Sequence, residues 1–295
     1  MTVKPRPNYV LRPMTSADIE PVSEAMLAND WGDRRAWFRF AASHPECRVF
    51  VAEGADGAIL GTGVATINGP VGWIGTIWVA PSARGQGIGH ALTEAPIEAA
   101  ESAGCRTLVL VATDAGRPLY ERLGFRVQTW YRTMEAPGLA GSVDAGVGGS
   151  GRGAGDRRVR AFRPDDLESM ASLDRTATGE DRQHLLTAFA LPNTTLVLTT
   201  DSDAPSGYVI RAPWGGGATI APDAGGALAI LRARRLSAGP ERRVRAGILQ
   251  ENEAGARALA DDGWTDAWRA PRLTRGEPLD WHPEHIWGQF NHALG

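Results

Sequence analysis

Cysteine is almost absent: Cys47 and Cys105 are the only two in 295 residues. Two are too few for a disulfide-stapled scaffold, and neither has a second cysteine or a histidine at metal-ligand spacing, so no metal site is expected. Both read as buried, inert thiols. Lysine is rarer still, Lys4 alone against 30 arginines, which reads as a GC-rich bacterial coding bias without chemical meaning. No apolar stretch approaches the roughly 18 residues that a bilayer span needs; the longest strand-like run is 108–112. The opening MTVKPRPNYV has basic residues but no apolar segment after them, so no secretory signal is expected and the chain reads as cytoplasmic. A net charge of −3 gives no standing attraction for nucleic acid or an anionic membrane. What is present is ordinary globular composition, 43% apolar and 22% charged. At roughly 100 to 200 residues per domain, the length predicts two domains.

The division falls in PGLAGSVDAGVGGSGRGAGDRR, residues 137–158, which has eight glycines, no aromatics and no periodicity. The predicted units are 1–137 and 158–295, joined by a flexible Gly-rich linker at 138–157. In the first unit, short apolar runs predict strands at 9–12, 47–53, 59–66, 71–79 and 107–112, with a last one from Phe125. Thr15 and Asp18 in capping-box spacing open a helix through Ala28, and Asp33 opens a second. Further helices are predicted from Ile88 to about Ser102 and up to Leu123-Gly124. The order is βααβββαβαβ, a mixed-sheet α/β (α+β) fold.

Between the strand at 71–79 and the third helix lies Arg84-Gly85-Gln86-Gly87-Ile88-Gly89. Glycine admits positive φ and close backbone approach, and free N–H groups at a helix N-terminus form an anion site. A phosphate or pyrophosphate is the natural guest. A dinucleotide loop starting at Gly85 would need glycine at His90, and a P-loop would need Gly-Lys-Ser/Thr, so both fail. Thirty residues on comes TDAGRPLYERLGF, residues 113–125.

Together these two motifs resemble the GNAT acyl-CoA N-acyltransferases, over about residues 8–134. The resemblance implies acetyl-CoA as cosubstrate. Arg84, Gly85, Gln86, Gly87, Ile88 and Gly89 would hold its pyrophosphate, and Ile77, Trp78 and Val79 would line the pantetheine and acetyl group. Thr113 and Gly116 would complete the cofactor site, and Tyr120 would be the general acid. A phenol of pKa about 10 stays protonated at neutral pH and can return a proton to a leaving thiolate. Backbone N–H groups near Val79 would stabilise the developing oxyanion.

The glutamate that many members carry on the strand before the loop is missing from GWIGTIWV, residues 72–79, so no base is assigned there. Asp30 and Asp33 read either as candidate bases or as helix caps; His44 and His90 are further candidates. Among ten tryptophans, Trp31, Trp37, Trp73 and Trp78 fall where this fold shapes an acceptor pocket, with Asp30 and Trp31 suited to an ammonium and Trp73 a further wall.

The second unit reads as a worn copy. RAFRPDDL at 160–167 echoes 10–19, and Asn252, Gly255, Leu259, Gly263 and Trp264 keep the spacing of Thr113, Gly116, Tyr120, Gly124 and Phe125. Each half reads as a complete α/β unit. The tyrosine has become Leu259, and the loop has become Asp223-Ala224-Gly225-Gly226, with a carboxylate where phosphate would sit. This resembles a bacterial tandem-GNAT group whose second domain is degenerate and serves structure or acceptor shaping. His282, His285 and His292 read as part of a packed or solvated terminal helix. Three functions stay open: N-acetylation of a small-molecule amine (a metabolite or antibiotic), an acyl-CoA sensor without turnover, or acetylation of a protein amine. Nucleic-acid and membrane partners are not expected, and either a monomer or a homodimer is compatible with the duplication.

Overall fold

The computed structural model describes residues 8–141 and 158–295. The first half runs β1 (Tyr9–Pro13), α1 (Ile19–Leu27), α2 (Arg35–Ala41), β2 (Cys47–Gly54), β3 (Ile59–Asn68), β4 (Val71–Val79), α3 (Ile88–Ser102), β5 (Thr107–Val111), α4 (Arg117–Arg122) and β6 (Arg126–Pro137). The second repeats the order: β7 (Arg158–Ala161), α5 (Leu167–Thr178), α6 (Gln183–Phe189), β8 (Thr195–Thr199), β9 (Pro205–Arg211), β10 (Gly217–Ile220), α7 (Ala224–Ala238), β11 (Arg243–Leu249), α8 (Glu253–Asp261) and β12 (Thr265–Gly276), with β13 (Ile286–Gly288) added. The mixed α/β fold and its element order follow the sequence reading.

The repetition extends to side chains. The Arg12 guanidinium donates to both oxygens of Asp18 at 2.7 and 2.8 Å, and Arg160 does the same to Asp166 at the same distances. Each aspartate also accepts from a backbone N–H three residues earlier, Thr15 and Arg163, both at 2.7 Å. The aspartate half of the capping box predicted at Thr15 and Asp18 therefore recurs at Arg163 and Asp166.

Strand pairing corrects the expectation that each half is complete in itself. One sheet has the order β1-β2-β3-β4-β5-β12-β6-β11 and another β13-β10-β9-β8-β7. β12, from the second half, lies between β5 and β6 of the first, antiparallel to both. β6 in turn lies between β12 and β11. Each half lends its last strand to the other. Of the expected linker, 142–157 falls outside the described residues. Residues 138–141 run on from β6, with the Gly138 and Leu139 N–H groups donating to the carbonyls of Arg242 (2.7 Å) and Arg235 (2.9 Å).

Helices cover both sheet faces. Alternate residues Val64 and Ala65 of β3 enter different cores, Val64 with Met26, Trp37 and Phe38 of α1 and α2, Ala65 with Ile97 and Ala100 of α3. The α1–α2 core continues without a break into Met170, Leu185 and Phe189 of α5 and α6. A buried polar cluster ties the halves further. Asp174 and Arg182 form a two-pronged ion pair (2.9 and 2.6 Å) to which the Tyr208 hydroxyl also donates. Glu180 accepts from Asn68 Nδ2 (2.7 Å) and Trp73 Nε1 (2.9 Å), and His184 Nε2 meets Asn68 Oδ1 at 3.0 Å. Arg272, 1% exposed, stacks between Trp73 and Trp281 at 5.5 and 4.4 Å. Cys47 and Cys105 are buried free thiols, each pushed up to about 11 by burial.

Candidate active site

β4 and β5 are parallel partners only over Val71–Trp73 and Thr107–Val109. Beyond that point a cleft of about 1350 Å³ opens between them. β4 is bulged where it enters the cleft: Thr62 faces Trp78 but Val64 faces Gly75, so Gly63 alone opposes Thr76 and Ile77. Thr76 is left at φ 52°, unusual for a β-branched residue. The bulge is held from both sides, by Thr62 Oγ1 donating to the Thr76 carbonyl (2.8 Å) and by Trp37 Nε1 donating to Thr76 Oγ1 (3.1 Å).

At the end of β4, Gly85 (φ 78°) and Gly87 (φ 79°) adopt the left-handed conformation while a Cβ on either would touch nothing within 4 Å. Their need for glycine is conformational, not steric. Gly87 caps α3 without a side-chain partner, and the N–H groups of residues 85–90 find no acceptor among the described residues. Ile88, 1% exposed, anchors the helix start. The loop thus presents a cluster of unused donors that begins at the edge of the cleft: Arg84 lines it and donates to the Val79 carbonyl (3.3 Å), whereas Gly85, Gln86, Gly87, Ile88 and Gly89 are not among its lining residues.

Tyr120 projects from α4 into the same cleft, 9% exposed, its ring against Gly116, where an added Cβ would lie 3.0 Å from Cε2. Desolvation pushes its phenol up to about 12. It therefore stays protonated throughout the physiological range, and it can donate to a leaving sulfur only where that sulfur shares the same desolvation. Ile77, Trp78, Val79, Arg84, Thr113, Gly116 and Tyr120 all line this one cleft, together with Trp31.

Two expected acceptor residues are not there. Trp73 is 1% exposed and spends its indole N–H on Glu180 in the buried cluster, because β4 is still paired on both sides at that point. Asp30 sits exposed in the turn after α1, at φ 63°, outside the cleft lining. Asp33 accepts from the Arg35 N–H (2.9 Å) as a cap, and His90 pairs with Glu94 one turn on. His44 lies against His184, ring centroids 4.9 Å apart and tilted by 41°. In their place the second half supplies part of the wall: Trp214, Arg234, Trp268 and His292, with Arg34 from the first half. Spacing gave no sign of these residues, since the strand exchange and the packing of the final segment bring them in from far along the chain. The Ala293 and His292 backbone crosses β4 at Gly75, where a Cβ would lie 2.5 Å from Ala293 Cβ.

The corresponding wedge of the second half is filled by the chain itself. β13 pairs antiparallel with β10, Trp287 Nε1 donates to the Ala221 carbonyl (3.2 Å), and Gln289 Nε2 reaches the Gly247 carbonyl (3.1 Å) on β11. The terminal segment expected to be helical is thus a short turn and strand, its edge satisfied by β10. Asp223 caps α7 by accepting from the Gly226 N–H (2.9 Å), so that helix start already holds a carboxylate.

A splayed mixed sheet, a bulged strand and a buried phenol sharing one cleft, with an anion-ready loop starting at its edge, define an acyltransferase-type α/β architecture. The sequence model of the acetyltransferase (GNAT) family matches residues 15–125, and this stretch belongs to that family. The chain is 43% identical over 56 residues to the glucosamine 6-phosphate N-acetyltransferase of Trypanosoma brucei brucei, a match spanning 19% of this chain and 38% of that protein's length. A Pyrococcus horikoshii protein described as an acetyltransferase shares the fold over 100% of this chain and 98% of its own, with TM-score 0.77 and 19% identity. The tandem GNAT protein of the clavulanic acid biosynthesis pathway does so over 92% and 100%, with TM-score 0.60 and 18% identity. The fold of the whole chain therefore recurs in solved structures.

Proposed function

We propose that this protein transfers an acetyl group from acetyl-CoA to the amine of a small molecule. The observation that carries the reading is that the bulge at Thr76 and Tyr120 line one cleft whose edge, at Arg84, begins the loop of unused N–H groups at residues 85–90. Acetyl-CoA supplies an activated acyl group and a polyanionic handle. The handle suits the loop, where donors and helix dipole favour negative charge. Ile77, Trp78 and Val79 would line the acyl arm, and backbone donors beside the bulge would face the carbonyl oxygen. Tyr120 would hold a proton at Oη for the departing sulfur. As the new C–N bond forms and the C–S bond breaks, the nitrogen gives up one proton and the sulfur gains one from Tyr120, which solvent restores. Glu135, the one carboxylate lining the cleft among the described residues, is already engaged by Arg243 and Arg245 (2.9 and 3.6 Å). The nitrogen's proton would therefore leave to water. The second half, with Leu259 for the tyrosine and its own wedge filled, would complete the acceptor wall.

The test is thermal unfolding with and without acetyl-CoA, followed by thiol release against a panel of amines. A ligand at 100 times its Kd adds about 2.7 kcal/mol to the native state. Wild type should be stabilised and Gly87→Glu should not, and amine-dependent thiol release should fall in Tyr120→Phe. Stabilisation without thiol release from any amine would favour a sensor, a reading that the absence of a carboxylate from β4 supports. No stabilisation would refute the loop assignment.

A further inference from the structure

We propose that the acceptor amine carries an anionic group, a carboxylate or a phosphate, and that Arg34 binds it. This rests on the acyl-transfer reading above and names the substrate class. Arg34 immediately precedes α2, one turn before Trp37, whose indole fixes the β4 bulge, so both residues face the acceptor end of the cleft. Its guanidinium is partly buried, its Nε is closed off from solvent without a hydrogen-bond partner, and it meets no carboxylate among the described residues.

The surroundings do not supply the missing charge. Neighbouring Asp33 belongs to Arg35 (3.2 Å). His292, from the segment crossing β4 at Gly75, is electrostatically coupled to Arg34 but can only be neutral or cationic. The cleft lining holds Arg34, Arg84, Arg234, Arg243 and Arg245 against Glu135 alone. Glu135 is taken by Arg243 and Arg245, Arg234 donates to the Arg245 carbonyl (3.0 Å), and Arg84 stands at the anion loop. A desolvated cation without a counter-charge is costly, and the cleft is where one can arrive. Arginine's planar fork suits a carboxylate or phosphate, and Trp31 and Trp37 line the same cleft.

The experiment compares matched amines in the thiol-release assay on the full chain: α-amino acids against their carboxamides, and amino sugars against their phosphate esters. The anionic member of at least one pair should be preferred by roughly tenfold to a hundredfold in kcat/KM, the range of a charge-assisted hydrogen bond. Whichever pair shows the preference distinguishes carboxylate from phosphate. Arg34→Gln should reduce that preference to within about twofold, mainly through KM for the amine, and Arg34→Lys should restore part of it. Its thermal stabilisation by acetyl-CoA should stay that of wild type, showing that the variant folds. Equal use of neutral and anionic members by wild type, or a preference that survives in Arg34→Gln, overturns the proposal while leaving acyl transfer standing. If no amine releases thiol, the same pairs are scored by thermal stabilisation of the protein: an anionic amine that stabilises wild type and not Arg34→Gln supports the site, and no difference between the two proteins refutes it.

Discussion

Acid should loosen the seam between the halves through His184. Burial, and secondarily the neighbouring His44 ring, holds the His184 imidazole down at about 4. An unfolded chain protonates the same group near 6.5. Between these values the unfolded state binds the extra proton, so stability falls as pH drops from about 6.5 to about 4 and is fully present above that window. The difference of about 2.5 units corresponds to about 3 kcal/mol at pH 4. Asn68 Nδ2 donates to Glu180 and to the Leu294 carbonyl, which leaves Asn68 Oδ1 as the acceptor and Nε2–H of neutral His184 as the donor. Glutamine can supply that donor without titrating. Urea unfolding followed by tryptophan fluorescence at about pH 7 and about pH 4 should show wild type losing about 3 kcal/mol more than His184→Gln. Burial holds the Glu180 carboxyl above the usual carboxylate range, which acts in the opposite direction but is common to both proteins. Equal acid losses in the two would refute the reasoning.

Two other outcomes follow from the geometry. With Glu135 engaged and Tyr120 titrating at about 12, log kcat/KM should rise with slope near one from neutral pH to the amine's own pKa, with no falling limb below about pH 11; a plateau at an enzyme-specific pKa that ignores the amine would reveal a base in the cleft. Proteolysis at a cleavage site engineered within 142–157 should leave the two pieces co-eluting under native conditions, because β12 and β6 are each flanked by strands of the other piece; separation on a sizing column would contradict the strand exchange.

The first half was legible because its signals are local. Thr15 and Asp18 cap within three residues, glycines set the loop at 85–87, and Gly116, Tyr120 and Gly124 sit on one short helix and its exit. Those patterns require no knowledge of distant partners. The second half shared the pattern, and its offset to the first predicted the repeat, down to the Asn252 cap that stands where Thr113 does. Strand exchange left no such trace: β6 and β12 read as last strands of their own units, and their apolar content does not say which sheet receives them. Trp31 and Trp73 look alike as residue types, and only the extent of β4–β5 pairing separates a cleft wall from a core side chain. The last segment was misread as helical because three residues, Ile286–Gly288, are too short to carry a strand period, and their role depends on the unpaired edge of β10.

The interchange of β6 and β12 also sets an order of events during synthesis. β5 leaves the ribosome about 150 residues before the strand that covers its edge in the finished structure. A nascent chain stalled between the halves therefore carries an open sheet whose backbone donors and acceptors on β5 are unmet. Completion waits for Thr265–Gly276, which joins β5 to β6 and so closes the eight-stranded sheet in a late step of high contact order.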